Sequence, residues 1–86
     1  LGDPNPSVLT EMTLDEDVQN LYTAVNKLNK REKEIIIMRF GLYGETAMTQ
    51  KEVADKLGIS QSYISRLEKR ILSKMRQEIE ELVTFV

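Results

Sequence analysis

Apolar residues recur at three- and four-residue intervals along most of this chain, the period of an amphipathic helix rather than of a strand. Val18, Leu21, Tyr22, Val25 and Leu28 form one such stripe and predict a first helix from about Leu14 to Leu28. Asp15, Glu16 and Asp17 then fall in its first turn, where the helix dipole favours acids. Asn29 is followed three residues later by Glu32, the spacing of a capping box. A second helix should start there and carry Ile35, Ile36, Met38 and Phe40 up to Gly41. Residues 41–48 include two glycines and read as a loop. Thr49 and Glu52 repeat the capping signal, opening a short third helix that ends near Leu57. Ser60 caps a fourth helix to about Leu82, in which Ile64, Leu67, Ile71, Met75, Ile79 and Leu82 share one face. Residues 1–13 contain Pro4 and Pro6 and lack periodicity, so they read as a linker or frayed end, and residues 84–86 should fray. The pattern predicts an all-α domain over residues 14–82, with four to five helices.

Within it, residues 49–70 meet the packing demands of a helix-turn-helix. Two helices meet at Gly58 with only a few residues between them. Ala54 is small where the helices must cross closely, and Gly58 supplies the positive φ of the turn. Val53, Leu57, Ile59, Ile64 and Leu67 fall where the pair must bury apolar groups, and Ala54, Gly58 and Ile64 stand at the motif's intervals of four and six. An ordinary helical hairpin also uses a small residue at its crossing; agreement at every position in register favours the helix-turn-helix. The expected core is therefore three-helical and winged-helix-like, of the DNA-binding type.

At about 100° per residue, the outer face of the fourth helix carries Ser62, Ser65, Arg66, Lys69, Ser73 and Arg76, with Arg70 at its margin. Short polar groups near a helix start suit base edges, and later bases suit phosphates. Taken singly, each of these charged residues is better explained as a solvated surface charge; their clustering is the signal. Glu68 departs from the pattern by projecting near the apolar face; a base from another helix, Arg39 or Arg31, would satisfy it, and reaching out to water would do so equally well.

The net charge of −2 argues against a nucleic-acid partner until it is divided along the chain. Residues 1–26 carry five acids and no base, whereas residues 49–77 carry seven bases and three acids, a net +4. The absence of Cys and His removes disulfides, thiol and imidazole catalysis and the usual zinc ligands. No phosphate-binding glycine loop and no paired acids in an apolar setting occur, so no cofactor or metal is expected and an enzyme is the least supported reading. There is no apolar run of membrane-spanning length and no signal segment, which points to the cytoplasm. The start at Leu1 rather than Met points to a piece of a longer protein.

Two blocks make the chain resemble a known family: Arg31 to Leu42, and Thr49 to Leu57 continuing through Gly58-Ile59-Ser60-Gln61-Ser62-Tyr63-Ile64-Ser65-Arg66-Leu67-Glu68-Lys69-Arg70. Together they resemble region 4, the C-terminal domain of bacterial sigma factors, over about residues 14–78. The wording from Gly58 to Arg70 is most similar to the sporulation-type, mother-cell sigma factors. The resemblance implies a monomeric domain that reads the −35 promoter element with its second helix-turn-helix helix and holds the flap of the RNA polymerase β subunit with its outer helices. It leaves room for an anti-sigma factor. By position it implies that Gln61, Ser62 and Arg66 face base edges and that Arg39, Thr49, Lys51, Ser65, Lys69 and Arg70 lie near phosphates. Primary sigma factors carry Arg-Glu where this chain has Gln61-Ser62; because Arg usually reads guanine and Gln adenine, the preferred −35 sequence should differ from the housekeeping one. The output domain of a response regulator, a free repressor, and a helical protein-interaction domain without a DNA role are the alternatives.

Overall fold

The computed structural model describes the backbone of residues 4–84 and the side chains of residues 15–83. Four α-helices follow one another: α1 (Pro4–Asn26), α2 (Lys30–Phe40), α3 (Gln50–Leu57) and α4 (Gln61–Thr84), with a 3₁₀ turn at Leu42–Gly44 between α2 and α3. Among the described residues there is no strand, so the helix-turn-helix stands without a β wing.

The caps written in the sequence form as such. The Asn29 side chain accepts from the Glu32 N–H at 2.8 Å while Glu32 Oε1 accepts from the Asn29 N–H at 3.1 Å. Thr49 and Glu52 repeat this reciprocal pair at the start of α3, at 3.1 and 2.8 Å. Each box satisfies two of the N–H groups that a helix start otherwise leaves without partners.

The linker that Pro4 and Pro6 predict is largely helix instead. Residues 4–13 belong to α1, because prolines in a first turn delete only N–H groups that have no intrahelical acceptor there. Asp15 to Asp17 consequently lie in the middle of α1, away from its positive end, and the dipole does not explain them. Residues 1–3 and the terminal Phe85 and Val86 lie outside the described residues. The helix also ends earlier than the apolar stripe: Lys27 and Leu28 bond back to Ala24 and Val25 carbonyls at 3.1 Å in a tightened last turn.

α4 is the organising element, packing against each of the other three helices. Ile64, Leu67, Ile71 and Met75, spaced by three and four, bury one side of it against Ala24 and Val25 of α1, Ile35 and Ile36 of α2, and Val53 and Ala54 of α3. Ala24 is fully buried because the end of α1 is held between α2 and α4, and a small side chain fits there. Val18, on the same predicted stripe as Leu21 and Val25, remains about half exposed, since among the described residues of α1 those that reach the core lie in its last turns.

An ion pair between positions distant in the chain fastens the start of α2 to α4. Lys74 Nζ lies 2.6 Å from Glu32 Oε2, and Glu32 is the one buried charged residue among those described. The Lys74 hydrogen bond holds the Glu32 carboxyl below the usual glutamate range against the opposing effect of burial, helped by the Asn29 N–H and by the charges of Lys74 and Arg70. Since the folded value is lowered, the stabilisation is whole above the unfolded value of about 4.3 and is lost as pH falls through the folded one. The gap in urea midpoint between wild type and Glu32→Gln should therefore be wide at about pH 6 and narrow at about pH 3. An unchanged gap would remove Glu32 from the acid sensitivity of the domain.

Candidate nucleic-acid interface

The turn between α3 and α4 occupies Gly58 to Ser60. Gly58 adopts φ 71°, ψ 32° and its N–H reaches the Ala54 and Asp55 carbonyls. Ile59 N–H bonds to the Ala54 carbonyl at 3.0 Å, and Ser60 Oγ accepts from the Tyr63 N–H at 3.2 Å. These bonds end one helix and start the next within three residues. A Cβ at Gly58 would meet nothing within 4 Å, so Gly58→Ala should cost only the left-handed strain, about 1–2 kcal/mol, read as a shift in urea midpoint with unchanged slope. Ala54 and Ile64 are both buried at the contact between the two helices.

Burying Ile64, Leu67 and Ile71 turns the opposite side of α4 outward. Gln61, Ser62, Arg66, Lys69 and Arg70 are exposed, and Ser65 is half-buried. Arg66, Lys69 and Arg70 have no carboxylate within 4.0 Å among the described residues, whereas Lys27, Arg39, Lys51, Lys74 and Arg76 are each ion-paired. Lys30, Arg31 and Lys33 on α2 and Lys56 on α3 are likewise without one, but three such cations stand together on the second and third turns of α4, where an anionic partner would displace no existing pair.

The other residues implied for phosphate contact sit differently. Arg39 is committed to the protein: Nε donates to Glu68 Oε1 at 2.9 Å, Nη1 to the Met48 carbonyl at 3.2 Å, and its guanidinium lies 5.1 Å from the centre of the Phe40 ring. Thr49 is exposed beside the N-terminus of α3, but the Glu52 carboxylate already occupies that end. Lys51 pairs with Asp55 at 3.1 Å, an exposed contact of little strength that an anion could replace.

Glu68 resolves as the joint of the motif. Its Oε1 accepts from Arg39 at the end of α2 and from Gln50 Nε2 at the start of α3, at 3.1 Å. The position of α4 relative to the two helices beside it is thereby fixed by one carboxylate whose side chain is 12 % exposed. Gln50 does not stand out in the sequence; the only hint is that a carboxylate near the apolar face of α4 must find donors.

A second surface feature lies away from this face. Leu21, Ile36, Phe40, Leu42, Leu72 and Met75 line an apolar groove of about 250 Å³ between α1, α2 and α4. Phe40 and Leu72 are each about two-fifths exposed in it. The neighbouring Tyr43 has φ 55° and ψ 36°, its ring centre 4.7 Å from that of Tyr22, and its hydroxyl donates to Asn26 Oδ1 at 3.4 Å. A positive φ on a tyrosine carries no sequence signature.

Comparison with known proteins accounts for this arrangement. Residues 24–77 match the family described as sigma-70, region 4. The chain is 52 % identical over 83 residues to the RNA polymerase sigma-E factor of Clostridium acetobutylicum, covering 96 % of this chain and 35 % of that protein. It is 42 % identical over 78 residues to the RNA polymerase sigma-K factor of Bacillus subtilis, covering 91 % of this chain and 26 % of that protein. These are sporulation-type sigma factors, and the chain spans only about a third or less of their length. The match takes in the end of α1, all of α2 and α3 and the first 17 residues of α4; the chain belongs to the sigma-70 region 4 family.

Proposed function

We propose that this chain is the promoter-recognition domain of an RNA polymerase sigma factor and that α4 enters the major groove of the −35 element. The observation that carries the reading is the division of α4: one side packs the core, while the other presents Gln61, Ser62 and Arg66 at its start, followed by Lys69 and Arg70. Gln61, Ser62 and Arg66 read base edges; Lys69 and Arg70 hold phosphates, with Thr49, Lys51 and Ser65 at the periphery. Arg39 contributes through whatever edge Glu68 and Met48 leave available. The apolar groove beside Phe40 receives an apolar segment of the β flap of polymerase, and burying Phe40 and Leu72 supplies the driving force. The work is done in the bacterial cytoplasm, without a cofactor, by a domain that is monomeric on its own.

An NMR titration of the labelled chain at low salt tests this, using a −35-like duplex and a scrambled one. Shifts concentrated from Thr49 to Lys74, and larger with the promoter duplex, are expected. Equal shifts with both duplexes reduce the chain to a nonspecific binder; no shifts leave only the polymerase-binding role. Arg66→Ala should weaken promoter binding by about 1–3 kcal/mol and leave scrambled DNA little affected, while Lys69→Ala should weaken both alike.

A further inference from the structure

We infer that Tyr63 is a positioning residue for sequence readout, holding the Arg66 guanidinium over the start of α4 where base edges are met. The inference rests on the DNA-reading role of α4 and adds to it a residue whose side chain the motif does not require. Tyr63 is a large, partly apolar side chain left 43 % exposed. Its backbone N–H is held by Ser60 Oγ at 3.2 Å, so the direction in which its side chain leaves the helix is fixed by the cap. The Arg66 guanidinium lies over the ring, 5.8 Å from its centre, within the range of a cation–π contact.

The surroundings of Arg66 leave this ring as its anchor. The residues one turn away on α4 are Ser62, Tyr63, Lys69 and Arg70, none of them acidic. Like charges on the C-terminal side push the guanidinium toward the N-terminal turn, which is also the direction helical side chains lean. The positive end of the helix opposes a cation there, and the electron-rich face of Tyr63 offsets that opposition. A guanidinium must present its edge in a fixed plane to make the paired hydrogen bonds that distinguish one base from another. A ring beneath it restricts that plane before binding, so less rotational freedom is lost on contact.

The test is selection from duplexes randomised over about six base pairs, with the full chain as wild type, Tyr63→Ala, Tyr63→Phe, Arg66→Ala and the Tyr63→Ala/Arg66→Ala double variant. Anisotropy on the best and scrambled duplexes gives the affinities. Wild type should enrich one base pair that Arg66→Ala no longer selects. Tyr63→Ala should lower the preference at that same position by about two- to fivefold, the size expected of an exposed cation–π contact, and leave scrambled binding unchanged. Tyr63→Phe should retain the preference, and Tyr63→Ala should add nothing in the Arg66→Ala background. Unaltered selection by Tyr63→Ala, an equal loss on both duplexes, or additive effects of the two alanines each overturn the proposal while leaving the DNA-reading role intact. A wild-type chain that enriches no sequence overturns both together. Thermal unfolding by circular dichroism checks that each variant is folded.

Discussion

Gly41→Ala is expected to destabilise the domain by about 3 kcal/mol, far more than the same change at Gly58. Both glycines are left-handed, at φ 67° and 71°, so both incur the strain of a Cβ in that region, about 1–2 kcal/mol. They differ in what surrounds them. A Cβ at Gly41 would lie 2.7 Å from the Glu45 carbonyl oxygen and 2.8 Å from the Ala47 nitrogen. Both are backbone atoms and no rotamer change moves them away. The loop after α2 would have to lift, endangering the Met48 N–H bond to the Met38 carbonyl at 2.9 Å and the Arg39 contact to the Met48 carbonyl. Overpacking of this kind adds about 1–3 kcal/mol. A domain of this length has on the order of 4–13 kcal/mol in total, so urea unfolding should show an early midpoint for Gly41→Ala and a modest shift for Gly58→Ala. Equal midpoints would mean that the loop adapts freely and that its close approach is incidental.

The second large effect is expected at Glu68. Glu68→Ala leaves the Arg39 guanidinium and the Gln50 amide without their shared acceptor in a part-buried setting. Breaking a largely buried charged contact from one side costs about 2–4 kcal/mol. Glu68→Gln keeps an acceptor oxygen but removes the charge and should cost about half as much. Asp55→Ala supplies the contrast: its pair with Lys51 is about 70 % exposed on both sides and contributes less than about 0.5 kcal/mol. Guanidinium chloride would screen these charges, so urea is the denaturant to use. A Glu68→Ala midpoint indistinguishable from that of Asp55→Ala would show that α4 is held by its apolar side alone.

These two sites also show what can be read from a sequence and what cannot. Asn29 with Glu32, and Thr49 with Glu52, lie within four residues of each other, and local chemistry decides where α2 and α3 begin. The apolar face of α4 is equally local, and it identifies the outward face by subtraction. Glu68 announces a need for a donor but leaves Arg31 and Arg39 open; only the fold places Arg39 within 2.9 Å. Pairing that depends on the path of the chain is hidden, as with Lys74 and Glu32, 42 residues apart. Gly41 reads simply as a helix end, because the backbone that crowds it arrives from residues 45–47. Pro4 and Pro6 mislead for a different reason: their effect depends on whether they fall in a first turn or a helix interior, and the pattern of polar positions does not say where α1 begins.

The outward placement of Gln61, Ser62 and Arg66 has a consequence for how such domains diversify. None of the three is buried, and substitutions at positions of this kind usually alter stability by no more than about 0.5 kcal/mol. The scaffold is therefore indifferent to which side chains stand on the outward face of α4. On the proposed DNA-reading role, duplicated copies can drift to separate sets of promoters by changing a few exposed side chains. The same proposed role lets an engineer rewrite those positions to make mutually insulated transcription channels while Ile64, Leu67 and Ile71 stay as they are.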